Sequence, residues 1–372
     1  MFKIDLSIYK KSKQYFILFD VLLKDLSVNK DFFLKENGVS PSSYRKARSI
    51  EQNNGNKIID KLCKALNYKN VNNELIDEIE LLINRIYNNM YYKVYTTYEK
   101  DLSLINEYLE SNIILRPIVL LSKLFLLANY KYDVGVFVNE NNADYIELKK
   151  YLPFFSNELL ELFDILSLVF EKNIQDKVLM KTYKNCLFYY ALSSRLCSDK
   201  RYVESLFVSK KAEDVLVREK NYKRLLYLNV KMMHCMNSIK NYEECFELAS
   251  MQLLSLRSFI DVDYAYKNTV KNLAISCLPL KKYSYVVDLL LNEPKLSMTE
   301  VCCLLVSQFN LDIEKYNEYF DFYYNGTSIE NQAILTNLDS FLKHNDKKEL
   351  MKLEETKLMD NITIAIKMSQ LN

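Results

Sequence analysis

The sequence predicts an all-α protein: a small basic helical unit over residues 1–70, followed by a long array of helical repeats over 71–372. Three observations predict it. Glycine is nearly absent, with 4 in 372 residues and only 5 prolines, where ordinary usage would place about 26 and 19. Basic charge is concentrated at the start, where residues 1–68 hold 13 Lys and Arg against 7 Asp and Glu, a net +6; the other 304 residues hold 37 against 41, a net −4. A tyrosine-headed helical pattern then recurs at nearly constant spacing.

The glycine count excludes whole classes of function. Strand-rich folds and phosphate-binding loops need glycine for tight turns and close backbone approach. Neither a GxGxxG nor a Walker-type loop is present. Eight cysteines, Cys63, Cys186, Cys197, Cys235, Cys245, Cys277, Cys302 and Cys303, lie in apolar helical patterns without a CxxC pair. They read as reduced core residues, the vicinal Cys302–Cys303 pair included. The only histidines are His234 and His344, too few for a histidine metal site, and no cofactor is expected. No nucleophile has an evident base beside it, so the chain reads as a non-enzyme. The apolar run YFILFDVLL at 15–23 is too short to span a membrane and lacks a cleavage site, so the expected location is the cytoplasm.

In chain order, residues 7–25 form the first predicted helix. The stretch NKDFFLKEN follows, with Phe33 and Leu34 facing inward and Gly38 as the turn. After it, Val39 is apolar, Ser40 caps the next helix and Pro41 fits its first turn. At 100° per residue, Tyr44, Ala47 and Ile50 share one half of that helix. Ser42, Arg45, Lys46 and Ser49 share the other. One side packs and the other is polar and basic, the division that a helix entering the DNA major groove requires. The DNA-contacting candidates are Ser40, Ser42, Ser43, Arg45, Lys46, Arg48 and Ser49. Residues 55–68 continue as a helix with Ile58, Ile59, Leu62 and Leu66 facing the core.

Farther along, 115–133 and 158–172 read as further helices. From about 175 to 290 the pattern becomes a repeat. Tyr202, Tyr222, Tyr242 and Tyr283 open helices at spacings of 20, 20 and 41, with Tyr264 near the middle of the long gap. In one unit, Tyr242, Cys245, Phe246, Ala249, Leu253 and Leu256 mark an apolar stripe. A single helical pair cannot bury such a stripe, whereas stacked pairs can. The helix-pair period near 40 is somewhat above the 34 of tetratricopeptide repeats, so the array is TPR-like. The tail from Lys347 reads as an amphipathic terminal helix that caps the array or pairs with a second subunit.

The spacing of Gly38, Val39, Tyr44 and Ala47 resembles the helix-turn-helix of Cro/repressor-like regulators. Leu34 departs from it where a small residue is typical, and Asn37 where an apolar one is typical. A helix-turn-helix domain before a TPR-like solenoid resembles the peptide-responsive RNPP regulators and the arbitrium receptors of low-GC Gram-positive bacteria and their phages. That resemblance implies a quorum-sensing homodimer that binds double-stranded DNA and a short signalling peptide inside the solenoid. From the residues, asparagine amides suit an extended peptide, since they both donate and accept. Asn229, set in the stripe of Tyr222, Leu226, Met233 and Met236, is one candidate. Asn268 and Asn272, placed opposite Tyr266, Val270, Leu273 and Cys277, are two more, with Asn237 behind them. The competing reading is a TPR-like scaffold that binds a protein partner without DNA.

Overall fold

The computed structural model describes residues 3–50, 56–68, 71–93, 97–111, 113–128, 142–173, 182–183, 185–256, 259, 262–345, 347–354 and 360–370. Among them every regular element is helical, as expected, and no strand occurs. No helix among them is long and apolar enough to cross a membrane. The chain divides into two compact units, Met1–Ser198 with Asp214–Glu219, and Asp199–Glu213 with Lys220–Asn372. Residues 1–70 all lie in the first.

The first unit opens with a short 3-10 turn at Ser7–Lys10, followed by α1 (Ser12–Asp25), α2 (Lys30–Glu36), α3 (Pro41–Arg48) and α4 (Lys57–Ala65). The single helix expected over 7–25 is interrupted because Lys11 is extended, with ψ 120°. That break lets Ile8 and Tyr9 turn inward ahead of the apolar stripe of α1, formed by Tyr15, Phe16, Leu18, Phe19, Leu22 and Leu23. The stripe packs on α2 and α3. The unit continues with α5 (Asn73–Tyr92), α6 (Tyr98–Ser111), α7 (Arg116–Leu127), α8 (Ala143–Lys149), α9 (Asn157–Phe170) and α10 (Cys186–Ser198). Helices expected over 115–133 and 158–172 correspond to α7 and α9; residues 129–133 lie outside the described residues.

The segment before α1 is tied to α5. Asn84 on α5 accepts from the Ile4 amide at 2.9 Å and donates to the Ile4 carbonyl at 2.9 Å, while Glu80 accepts from the Leu6 amide at 2.9 Å. At the far end, buried Arg195 of α10 donates to the carbonyls of Leu168, at 3.2 Å, of Glu171, at 2.9 Å, and of Lys172. A guanidinium placed there satisfies carbonyls that the end of α9 leaves without intrahelical donors.

Helix α11 (Tyr202–Arg218) is divided between the units. The second unit continues with α12 (Tyr222–Ser238), α13 (Tyr242–Leu256), α14 (Asp263–Cys277), α15 (Tyr283–Leu291), α16 (Met298–Leu311), α17 (Ile313–Asn325), α18 (Ile329–His344), α19 (Lys347–Glu354) and α20 (Asp360–Ser369). The four repeated tyrosines, at 202, 222, 242 and 283, are each the first residue of a helix. Two residues before each stands a lysine in the left-handed region: Lys200 at φ 61°, Lys220 at 57°, Lys240 at 66° and Lys281 at 55°. At Lys240 the turn closes with the Asn241 amide on the Met236 carbonyl, at 2.8 Å, and the Lys240 amide on the Asn237 carbonyl, at 3.2 Å. This is the double closure of a helix C-terminus usually built on glycine. In a chain of four glycines, lysine fills that position.

Each helix from α12 to α18 packs on the next, and alternate helices also meet: α12 on α14, α14 on α16, α16 on α18. Consequently α14 is buried on almost every side, through Ala265, Thr269, Val270, Asn272, Leu273, Ala274, Ile275, Ser276 and Cys277. The tail from Lys347 forms two helices rather than one. The second, α20, lies against α12, α14 and α16. All eight cysteines are unbridged, and every one except half-buried Cys197 is buried.

Candidate functional site

Helix α3 is held from beneath and open above. Ser40 caps it, its Oγ accepting from the Ser43 amide at 3.0 Å. Gly38 supplies the left-handed turn before it, at φ 58°. There the Val39 amide reaches the Leu34 carbonyl at 2.8 Å and the Gly38 amide reaches that of Lys35 at 3.0 Å. Leu34 and Val39, both buried, are the apolar pair that accompanies such a closure. This accounts for a leucine where the repressor pattern has a small residue. Asn37, the other departure, turns its amide back onto the Phe33 carbonyl at 2.8 Å.

Tyr44 and Ala47 are buried against α1. The Tyr44 ring meets Phe16 edge-on with centroids 4.6 Å apart. Its hydroxyl donates to Asp20 Oδ1 at 2.7 Å. The same carboxylate takes Lys30 Nζ of α2 at 2.7 Å and stands 3.8 Å from Arg48 Nη1. Asp20 on α1 therefore ties α2 and α3 through one group. Burial first, and then its bond to Asp20, push the Tyr44 hydroxyl well above the usual tyrosine range. Ile50, expected on the packed side, is instead 47 % exposed. The helix ends at Arg48, so the 100° progression no longer applies at residue 50.

The opposite face carries the candidates. Ser40, Ser42, Ser43, Arg45, Lys46 and Ser49 are exposed and Arg48 is half-buried. Ser40 Oγ lies 2.8 Å from Ser42 Oγ and 2.8 Å from Ser43 Oγ, so the three hydroxyls form one cluster at the helix start. Arg45 Nε donates to the Pro41 carbonyl at 3.3 Å. Ser49 Oγ turns back to the Lys46 carbonyl at 2.7 Å and so caps the helix end. Arg45 and Lys46 are exposed, whereas the charge of half-buried Arg48 is partly engaged by Asp20. Lys61 of α4 adds a cation beside the turn, its Nζ 3.3 Å from the Gly38 carbonyl. Sequence reasoning missed Lys61, since no local spacing relates residues 38 and 61.

The structure brings three of the four asparagines together. Asn237 Nδ2 on α12 donates to the Asn272 carbonyl on α14 at 3.0 Å and contacts Asn272 Oδ1 at 3.2 Å. Asn272 Nδ2 donates to the Asn268 carbonyl at 2.8 Å, and Asn268 Nδ2 to that of Tyr264 at 2.8 Å. Asn237 and Asn272 are buried, at 0 % and 1 % exposure; the amide donor of Asn237 is engaged across to α14 and that of Asn272 within α14. The face of α14 carrying Asn272 is thus no more open than the face carrying Val270 and Leu273. Asn229 stands apart from this cluster; it is half-buried, and its Oδ1 is buried without a hydrogen bond, as is Asn237 Oδ1. Gln252 of α13, which the sequence reading did not single out, bridges the Leu226 carbonyl at 3.1 Å and Thr269 Oγ1 at 2.9 Å.

His234 lies half-buried on α12, edge-on to Tyr202 at 5.7 Å between ring centroids. Among the described residues no group of three His, Cys, Asp or Glu is placed to hold a metal ion.

No family model, no curated protein and no solved structure matches this chain.

Proposed function

We propose that this protein is a DNA-binding transcriptional regulator that acts as a homodimer and whose helical-repeat region senses a short signalling peptide. On this reading α2 and α3 form a helix-turn-helix with α3 in the major groove, and α11 to α18 form a TPR-like solenoid. The observation that carries it is the two-sidedness of α3. Tyr44 and Ala47 fasten one face to α1, while Ser42, Ser43, Arg45 and Lys46 stand exposed on the other. Short hydroxyls near a helix start approach phosphates and base edges closely, and the cations behind them reach guanine edges or the backbone.

The repeat reading draws on neighbour-plus-alternate packing from α12 to α18, which is how a row of helical pairs buries one continuous core. In a dimer the two α3 helices must meet half-sites about 34 Å apart, or a multiple of that. A peptide that binds one arrangement of the repeats more tightly than another shifts the population that matches this spacing. Asn229 and Asn268, which keep partial exposure, are the better placed of the four asparagines to meet such a peptide.

Selection of bound duplexes from a random pool, at about 150 mM salt, tests the reading. The expected result is an enriched site with two half-sites. Weak, strongly salt-dependent binding without enrichment would overturn it and favour the scaffold that binds a protein partner.

A further inference from the structure

Helix α1 has a second face besides the one it buries in the core. Ile17, Asp20, Val21 and Lys24 fall at i, i+3, i+4 and i+7 along it, and all four line a cavity of about 480 Å³. Asp25, Lys150 and Pro153 complete the lining. Small-molecule sites range over about 300–1,000 Å³, so the volume suits a compact ligand.

The cavity is preformed. Pro153 belongs to a short 3-10 turn, Leu152–Phe154, that packs on α1. Buried Phe154 anchors that turn by meeting Tyr9 edge-on, with ring centroids 5.0 Å apart. Lys150 ties the same segment to the end of α1 through an ion pair with Asp25. On the core side α1 is fixed by buried Phe16, Phe19 and Leu23.

The charged groups of the lining are unevenly matched. Asp25 has Lys150. Asp20 accepts from the Tyr44 hydroxyl at 2.7 Å, takes Lys30 Nζ at 2.7 Å and stands 3.8 Å from Arg48 Nη1. Lys24 follows Asp20 by one helical turn, the spacing of an i, i+4 ion pair. With Asp20 engaged elsewhere, no ion pair or hydrogen bond holds the Lys24 ammonium among the described residues. Lys24 is therefore the one charged group of the lining without a counter-charge. Ile17, Val21 and Pro153 supply the apolar wall. An apolar wall beside one unmatched cation suits a molecule with an apolar body and a single negative charge. The charge fixes its head and the wall takes its body.

We propose that this cavity binds a small organic carboxylate, with its head on Lys24 and a compact apolar body against Ile17, Val21 and Pro153. The site goes beyond the reading as a regulator that senses a peptide: every residue lining it belongs to the first unit, and none is a candidate for contact with DNA or peptide. Its occupant sits beside Asp20, the group that fastens α2 and α3 to α1.

The probe is 1-naphthoate, with uncharged 1-naphthamide as its match in shape, added to the full-length chain near neutral pH without DNA. The chain has no tryptophan, so anisotropy of the naphthyl emission reports binding directly. Naphthoate should bind saturably, with a Kd below about 1 mM, and naphthamide at least about 10-fold more weakly. Lys24→Gln should lower naphthoate to the affinity of the amide and leave the amide unchanged. Lys13→Gln, on the same helix but outside the cavity, should change neither. Both lysines are exposed and glutamine is a good helix former, so both variants keep the fold. Absence of saturable naphthoate binding, equal binding of acid and amide, or an unchanged naphthoate affinity in Lys24→Gln overturns the proposal. An equal loss in the two lysine variants does so too, since it marks general attraction to a basic surface. Duplex selection has no bearing on this result, so the site and the regulator reading fail separately.

Discussion

Replacing Arg45 and Lys46 together by alanine is the sharpest probe of α3. Both side chains are exposed on the face away from α1, and Tyr44 and Ala47, which hold the helix down, are left intact. Alanine is the best helix former, so α3 keeps its shape. If each cation neutralises one phosphate, each lost contact reduces the slope of log affinity against log salt by about 0.9. At about 150 mM salt the released counterion is worth roughly 1 kcal/mol per contact. Two contacts then amount to about 2 kcal/mol, or about 30-fold in affinity. The assay is fluorescence anisotropy on a selected duplex across a salt series. The expected result is a 30-fold weaker complex at 150 mM and a slope smaller by roughly 1.8. Arg48→Ala alone should cost less than tenfold, because Asp20 already lies 3.8 Å from that guanidinium. An unchanged slope in the double variant would refute the docking of α3 on phosphates.

Other predictions concern what holds each unit together. Asp20→Ala removes the charged acceptor of the Tyr44 hydroxyl and the 2.7 Å contact to Lys30. It should cost about 2–3 kcal/mol, mostly from the buried hydroxyl, as read by denaturant unfolding; under 0.5 kcal/mol would mean that α1 and α3 are joined by packing alone. Lys240→Gly relieves a left-handed residue at φ 66° and should stabilise the chain by about 0.5–1 kcal/mol, visible as a Tm raised by roughly 2 °C. Burial pushes the Cys245, Cys277 and Cys302 thiols up to about 12. The folded state therefore favours their neutral form. The stability this provides is complete below the usual thiol value of about 8.5 and is lost as pH rises through 12. A thiol reagent at pH 8 should accordingly label one site rapidly, half-buried Cys197, and the other seven only after unfolding.

Much of the local architecture was legible in the sequence, because it is written in short-range chemistry. A serine before a proline marks the start of α3, a glycine marks the turn before it, and tyrosines mark the starts of α11, α12, α13 and α15. What escaped depends on neighbours distant in sequence. Periodicity placed Asn272 on a face opposite Val270 and Leu273, yet both faces are buried, since α14 has α12, α13, α15, α16 and α20 around it. The pairing of Asn237 with Asn272 spans 35 residues, and no local pattern announces it. The same is true of Asp20, whose three partners lie on α2 and α3. In the tail, the amphipathic pattern was visible, but where its second helix lies could not be read from it. Lys11 and Ile50 show the opposite failure, where one backbone angle or one early helix end overrides the periodic pattern.

The alternation of the second unit gives the array a parity. Even-numbered helices from α12 to α18 touch one another, and odd-numbered helices touch their sequence neighbours and keep an outer edge, as exposed Met251 and Leu254 on α13 and Tyr285 and Leu291 on α15 show. Between α11 and α15 the turn-to-turn interval is close to 20 residues, or twice that, with the left-handed lysines at 200, 220, 240 and 281. Excising one interval would exchange the roles of all later helices: α14, buried along most of its length from Ala265 to Cys277, would face water, and α15, with its exposed flank, would be driven into the row. Excising two intervals would preserve every role. From α11 to α15 the array can therefore grow or shrink in steps of about 40 residues, and not in steps of 20.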